Sequence, residues 1–154
     1  MNKLIERFII ENNLFITTRL KMSKPINYPT PEKIIEFNIL VLSIIKVKKA
    51  DKPEVMSHSK LIKIIESCKE FKGDIYDKAA ELMIGLIGNH PFASGNRRTA
   101  FIAVKDFLLS NNQKLKITDD PKYAKVMTGI REGYYTHDEV KEWIKNGKIK
   151  EFKR

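Results

Sequence analysis

The sequence predicts an all-α domain of six or seven helices. Apolar residues recur at helical spacing in one segment after another. Gly and Pro are sparse inside those segments and gather between them. Hydroxyl or acidic residues stand where several of the segments begin, as helix caps do. At 154 residues the chain is one domain's length, and residues 1–154 read as a single domain with no internal boundary.

The first element is a helix over residues 2–14, with Leu4, Ile5, Phe8 and Ile9 on one face. Residues 21–30, with Pro25 and Pro29, form a connector. Thr30-Pro31-Glu32 opens the second helix: a hydroxyl cap, Pro in the first turn, then an acid. It is expected to run to about Val47, burying Ile34, Phe37, Ile39, Leu40, Val41, Ile44 and Ile45. Residues 48–58 are a polar connector. Ser59 to about Cys68 is a third helix, with Leu61, Ile62, Ile64 and Ile65 inward. Lys69 to Asp74 breaks the helical period and reads as a short loop or hairpin.

Ile75 to Gly88 is helical again, with Ala79, Leu82, Met83, Leu86 and Ile87 on its apolar face. Asn89 to Gly95 is a loop. Asn96 to Ser110 is the next helix, burying Ala100, Phe101, Ala103, Val104, Phe107 and Leu108. Asp120-Pro121 starts another, to about Glu132. Thr136 to Glu139 is a capping box, and Val140, Trp143 and Ile144 face inward behind it.

The composition narrows the function. Lys and Arg number 29 against 19 Asp and Glu, a net charge of +10. Most of it is Lys, scattered along the chain, with clusters at Lys46 to Lys49 and Lys145 to Arg154. Such a surface steers anions but does not specify a fold. No zinc-finger pattern, RNP-like strand or aromatic-basic groove accompanies it, so nucleic acid is not the expected partner. The lone Cys68 excludes a disulfide framework and reads as a small buried hydrophobe. No apolar run suits a membrane span and the N-terminus does not resemble a signal peptide, so a cytoplasmic chain is expected. His58 and His137 fall in polar connector or cap contexts and read as surface histidines.

The chemistry concentrates in His90-Pro91-Phe92-Ala93-Ser94-Gly95-Asn96-Arg97-Arg98. Gly just before a helix N-terminus lets backbone N–H groups approach an anion, and the helix dipole favours negative charge there. Arg97 and Arg98 lie in the first helical turn, a poor place for cations unless an anion sits between them and the dipole. That conflict points to a bound phosphate. His90 stands at the other lip of the loop, where a neutral imidazole suits general-base work.

This stretch resembles the signature of the Fic/Doc (Fido) family, and within it the Doc, or death-on-curing, branch. The branch's motif runs His-x-Phe-x-Asp/Asn-Gly/Ala-Asn-Lys-Arg. His90, Phe92, Gly95, Asn96 and Arg98 match, and Arg97 keeps the charge of the Lys position. Lys78-Ala79-Ala80, Arg98-Thr99-Ala100, Phe107-Leu108-x-x-Asn111 and Glu142-Trp143-Ile144 extend the likeness over residues 60–146. The AMP-transferring branch carries Gly at position 97 and a second Arg at position 101. Arg97 and Phe101 point away from it.

The resemblance implies a helical Fido domain with a short flap before the motif helix pair, at Lys69 to Asp74. It implies transfer of a phosphate or nucleotidyl group from ATP, or a related donor, onto the Ser, Thr or Tyr hydroxyl of a protein. In Doc that protein is a translation elongation factor, and Doc is the toxin of a toxin–antitoxin pair, which would make an antitoxin a further partner. His90 would be the base. Phe92 would fix the loop, Gly95 and Asn96 would line the anion hole, and Arg97 and Arg98 would supply charge and grip at the phosphates. Ser94 occupies the acidic or Asn position that helps hold Mg²⁺, and a hydroxyl is a weaker ligand. That departure motivates the alternative of a catalytically weakened Fido fold acting as a nucleotide- or protein-binding module. A basic nucleic-acid-binding domain is a third reading, resting on charge alone. Thr128 to Gly133 fits the Ser/Thr-x-x-x-Glu-Gly/Asn pattern of an inhibitory helix in some Fic proteins and reads as a chance match.

Overall fold

The computed structural model describes residues 24–44, 52–118 and 120–154. The helix expected over 2–14, the Lys46 to Lys49 cluster and the end of the second helix at Val47 lie outside them. Six helices are seen among the described residues: α1 (Pro31–Ile44), α2 (His58–Glu70), α3 (Ile75–Asn89), α4 (Asn96–Ser110), α5 (Lys122–Arg131) and α6 (His137–Asn146). The architecture is all-α, as the periodicity predicts. None of these helices is long and apolar enough to cross a membrane.

The helix starts follow from local chemistry. Thr30 Oγ1 accepts from the Lys33 N–H at 3.2 Å ahead of α1. Ser57 caps α2, accepting from the Lys60 N–H, so His58 lies in the first turn and not in a connector. Asp74 and Asp77 form a capping box at α3, and Thr136 and Glu139 form another at α6. Each satisfies leading N–H groups that a helix cannot bond internally.

α3 is the central helix, packed against α2, α4 and α6. Its Ala79, Ala80, Leu82, Met83, Leu86 and Ile87 are wholly buried. Ala at two adjacent positions lets neighbouring helices approach on more than one side. α1 lies over α4 and α2. Its inward stripe is Ile34, Phe37, Asn38, Val41 and Leu42, the i, i+3, i+4, i+7, i+8 set. Ile39, Leu40 and Ile44, expected inside, are exposed because the helix presents one stripe and not its whole circumference. Ile62 of α2 is exposed for the same reason.

Phe71 to Asp74 is a turn without strands. Buried Lys78 reaches from α3 to donate to the carbonyls of Cys68, Lys69 and Phe71 at 3.3, 2.7 and 2.8 Å. It thereby closes the C-terminus of α2, where a cation also suits the dipole. His137 is no plain surface histidine. It is half-buried, stacked 4.3 Å from the Phe71 ring, with Nε2 3.1 Å from the Asp77 carbonyl. Burial works to raise the Asp77 carboxyl, but hydrogen bonds from Lys141 and the Asp74 N–H outweigh it and hold it below the usual range. Cys68 is buried, and loss of hydration pushes its thiol up to about 12, as expected of a packing residue.

Candidate functional site

The α3–α4 connection is tight because both ends use left-handed backbone. His90 ends α3 at φ 46°, and Gly95 precedes α4 at φ 76°. Gly tolerates that conformation; a non-Gly residue adopts it seldom, and still more seldom before a proline. Strain held at a single His marks a position that the surroundings over-determine. Pro91 and Phe92 are buried between these two points and anchor the loop to the core.

Asn96 decides the loop's shape. Its Oδ1 accepts from the Phe92 N–H at 3.0 Å and its Nδ2 donates to the Phe92 carbonyl at 2.8 Å. The side chain is buried, so what Asn96 can offer a ligand is its backbone N–H at the start of α4. Asn96 does line the cavity as expected, but both halves of its amide are spent on Phe92. Asn38 of α1, also buried, donates to the Ser94 carbonyl at 2.9 Å and approaches Thr99 Oγ1 at 3.1 Å. A Cβ on Gly95 would stand 3.1 Å from Leu42 and 3.2 Å from the Asn38 amide. α1 therefore presses the loop into place, a contact that no motif announces.

A second strip of backbone crosses the loop. The Met56 N–H donates to the Pro91 carbonyl at 2.8 Å, and the Ala93 N–H to the Glu54 carbonyl at 3.0 Å. Val55 and Phe92 form an isolated antiparallel bridge. The extended segment beside the motif is thus residues 54–57, ahead of α2. The flap expected at Lys69 to Asp74 is instead fastened to Lys78 and His137.

The loop, the first turn of α4 and one face of α5 line an open cavity of about 390 Å³. His90, Ser94, Gly95, Asn96, Arg97 and Arg98 line it from one side, and Tyr123, Ala124, Met127 and Arg131 from α5. Every site residue singled out in the sequence is there except Phe92, which is buried beneath the loop. The α5 residues were missed. Their signal is the four-residue spacing of Tyr123, Met127 and Arg131, one face of a helix that nothing in the sequence aims at the motif. Phe101 packs edge-on against Tyr123 at 5.2 Å between centroids.

The cavity is strongly positive. Three of the residues lining it are arginines, and none of its lining among the described residues is acidic. Arg97 donates to Thr128 Oγ1 at 3.0 Å, tying the first turn of α4 to α5. Glu132, at the end of the Thr128 to Gly133 stretch, is ion-paired to Arg154 and is not among the residues lining the cavity. Partial loss of hydration lowers the pKa of the largely exposed His90, and the charges of Arg131, Lys60 and Arg97 lower it further. The imidazole is therefore neutral at pH 7 and able to accept a proton.

These donors do not fit Mg²⁺, which takes carboxylate and phosphate oxygens. The described walls offer the Ser94 and Tyr123 hydroxyls, the His90 imidazole and guanidinium groups but no carboxylate, and guanidinium groups bind anions. A neutral base, backbone N–H groups at a helix start and convergent arginines can together hold a phosphate-bearing molecule and deprotonate a hydroxyl beside it. A search of curated proteins found no match to this chain. Residues 48–108, which carry α2, α3, the His90–Gly95 loop and all but the last two residues of α4, match the model of the Fic/DOC family.

Proposed function

We propose that this chain is a Doc-like transferase that moves a phosphate or nucleotidyl group from ATP, or a related donor, onto a protein hydroxyl. The observation that carries this reading is the neutral His90 sharing one arginine-walled cavity with the start of α4. The Fic/DOC match over the same residues supports transferase chemistry. The donor phosphates lie against the leading N–H groups of α4 and Arg98. The target hydroxyl approaches His90. Its oxygen attacks phosphorus, the bond from phosphorus to the leaving phosphate oxygen breaks, and His90 takes the hydroxyl proton. ADP leaves if the terminal phosphorus is attacked, and pyrophosphate leaves if the first one is.

Arg97 and Phe101, in place of the residues of the AMP-transferring pattern, favour the terminal phosphate. A translation elongation factor as target, and an antitoxin as partner, follow from the same likeness to Doc. Incubating the purified chain with ATP and cell lysate, followed by mass spectrometry, tests the reading. A gain of one phosphoryl group on a protein supports it, a gain of one adenylyl group moves it to the AMP-transferring chemistry, and no modification counts against transfer.

A second reading has its own observation. Ser94 leaves the loop without the acid of the family pattern, and no described residue of the cavity wall replaces it. A Fido fold that binds nucleotide or protein without turning it over fits that lining. Nucleotide binding with no modified product would select it.

A further inference from the structure

We infer that Arg131 is a third phosphate-gripping arginine of this cavity, and that with Arg97 and Arg98 it lets the site take a polyphosphate donor free of divalent metal. The inference rests on reading the cavity as a donor site.

The placement comes first. Arg131 ends α5 and lines the same cavity as His90, Arg97 and Arg98. It stands one turn beyond Met127 and two beyond Tyr123 on the face that forms the wall. Arg97 is tied to the same helix through Thr128, three residues before Arg131. The seam between α4 and α5 is thus arginine on both sides. Among the described residues no carboxylate pairs with Arg97 or Arg131. Arg131 is close enough to His90 for its charge to help depress the imidazole.

The electrostatics then ask for a particular ligand. Arg97 and Arg131 bring like charge to one cavity beside the positive end of α4. A multiply charged anion offsets that charge. The volume suits a nucleotide-sized molecule better than a lone phosphate. In phosphoryl transfer a metal neutralises phosphate charge and links oxygens of neighbouring phosphates. Planar guanidiniums with forked donors can do both through hydrogen bonds. Mg²⁺ bound to the donor would compete with them for the same oxygens, and Ser94 would hold it only weakly.

The test is calorimetric titration of ATP, and of tripolyphosphate as a base-free probe, into the full chain at low salt, with chelator or with millimolar Mg²⁺. ATP is expected to bind in chelator, Mg²⁺ to leave its affinity equal or weaker, and tripolyphosphate to compete. Arg131→Ala should weaken ATP in chelator by about tenfold or more, and Arg131→Lys by less. Because Arg131 is exposed, its Tm should stay within about 1 °C of the parent. Binding that requires Mg²⁺, tripolyphosphate that fails to compete, or an Arg131→Ala chain that binds ATP as tightly as the parent overturns the inference. The donor site itself survives those results if Arg98→Ala still removes ATP binding. No ATP binding in either condition overturns both.

Discussion

Replacing Asn96 by Ala separates two jobs that this residue could do. In the structure its amide closes a ring with the Phe92 N–H and carbonyl at 3.0 and 2.8 Å, and Asn96 is itself buried, 8% exposed. Ala leaves both backbone groups without their partner in surroundings that water enters poorly. Each such group costs about 1–3 kcal/mol, partly offset because the amide no longer has to be dehydrated. A loss of about 2–4 kcal/mol follows, with a fall in Tm of about 5–15 °C for a chain of this size. Asn96→Asp keeps the acceptor for the Phe92 N–H but sets a carboxylate against the Phe92 carbonyl, so it should also destabilise. Urea and thermal unfolding followed by circular dichroism measure both variants. If Asn96→Ala melts within about 1 °C of the parent and yet loses ATP binding, the amide serves the ligand and the clamp described here is wrong.

His90→Ala should abolish transfer while leaving ATP affinity and Tm near the parent, because a base acts on the transition state and His90 is an exposed side chain. The depressed His90 pKa adds a sign: the unfolded imidazole binds its proton first, so stability falls as pH drops below about 6.5 toward the folded value, and proton NMR of the ring should show that shift. Ser94→Asp places a carboxylate by the donor phosphates. It should lower ATP affinity in chelator and raise it in millimolar Mg²⁺, and an unchanged Mg²⁺ dependence would mean that Ser94 does not face the donor. Cys68, buried with its thiol pushed up to about 12, should resist thiol reagents in the folded chain and react only on unfolding; fast labelling of the native protein would contradict the packing described.

The helices were legible because their information is local. The Thr30 and Thr136 caps, the apolar face of α3 and the break near Asp74 each depend on residues within a few positions of one another, and the structure keeps all of them. Faces were less legible on α1 and α2, where apolar residues exceed what one buried stripe can hold. Ile39, Leu40, Ile44 and Ile62 are left outside for that reason. The loop motif could be read as an anion site from Gly95 and the paired arginines, since a helix start and a charge conflict are also local facts.

What the tertiary structure alone decided is which distant residues close the site. Asn38, 56 residues from Ser94, holds the loop from α1. Residues 54–57 cross it as an extended strip, whereas periodicity had drawn attention to Lys69 to Asp74. Arg131 and Thr128 come from a helix with no motif, and they reach the cavity because α3 carries α4 on one flank and leaves room for α5 beside it. Asn96 shows the same division within a single side chain. The sequence determined that an Asn follows the glycine, but the backbone path of Phe92 determined that its amide turns inward. Helix formation needs only neighbours along the chain, whereas a cavity wall needs helices to meet, and that meeting is set by packing around α3.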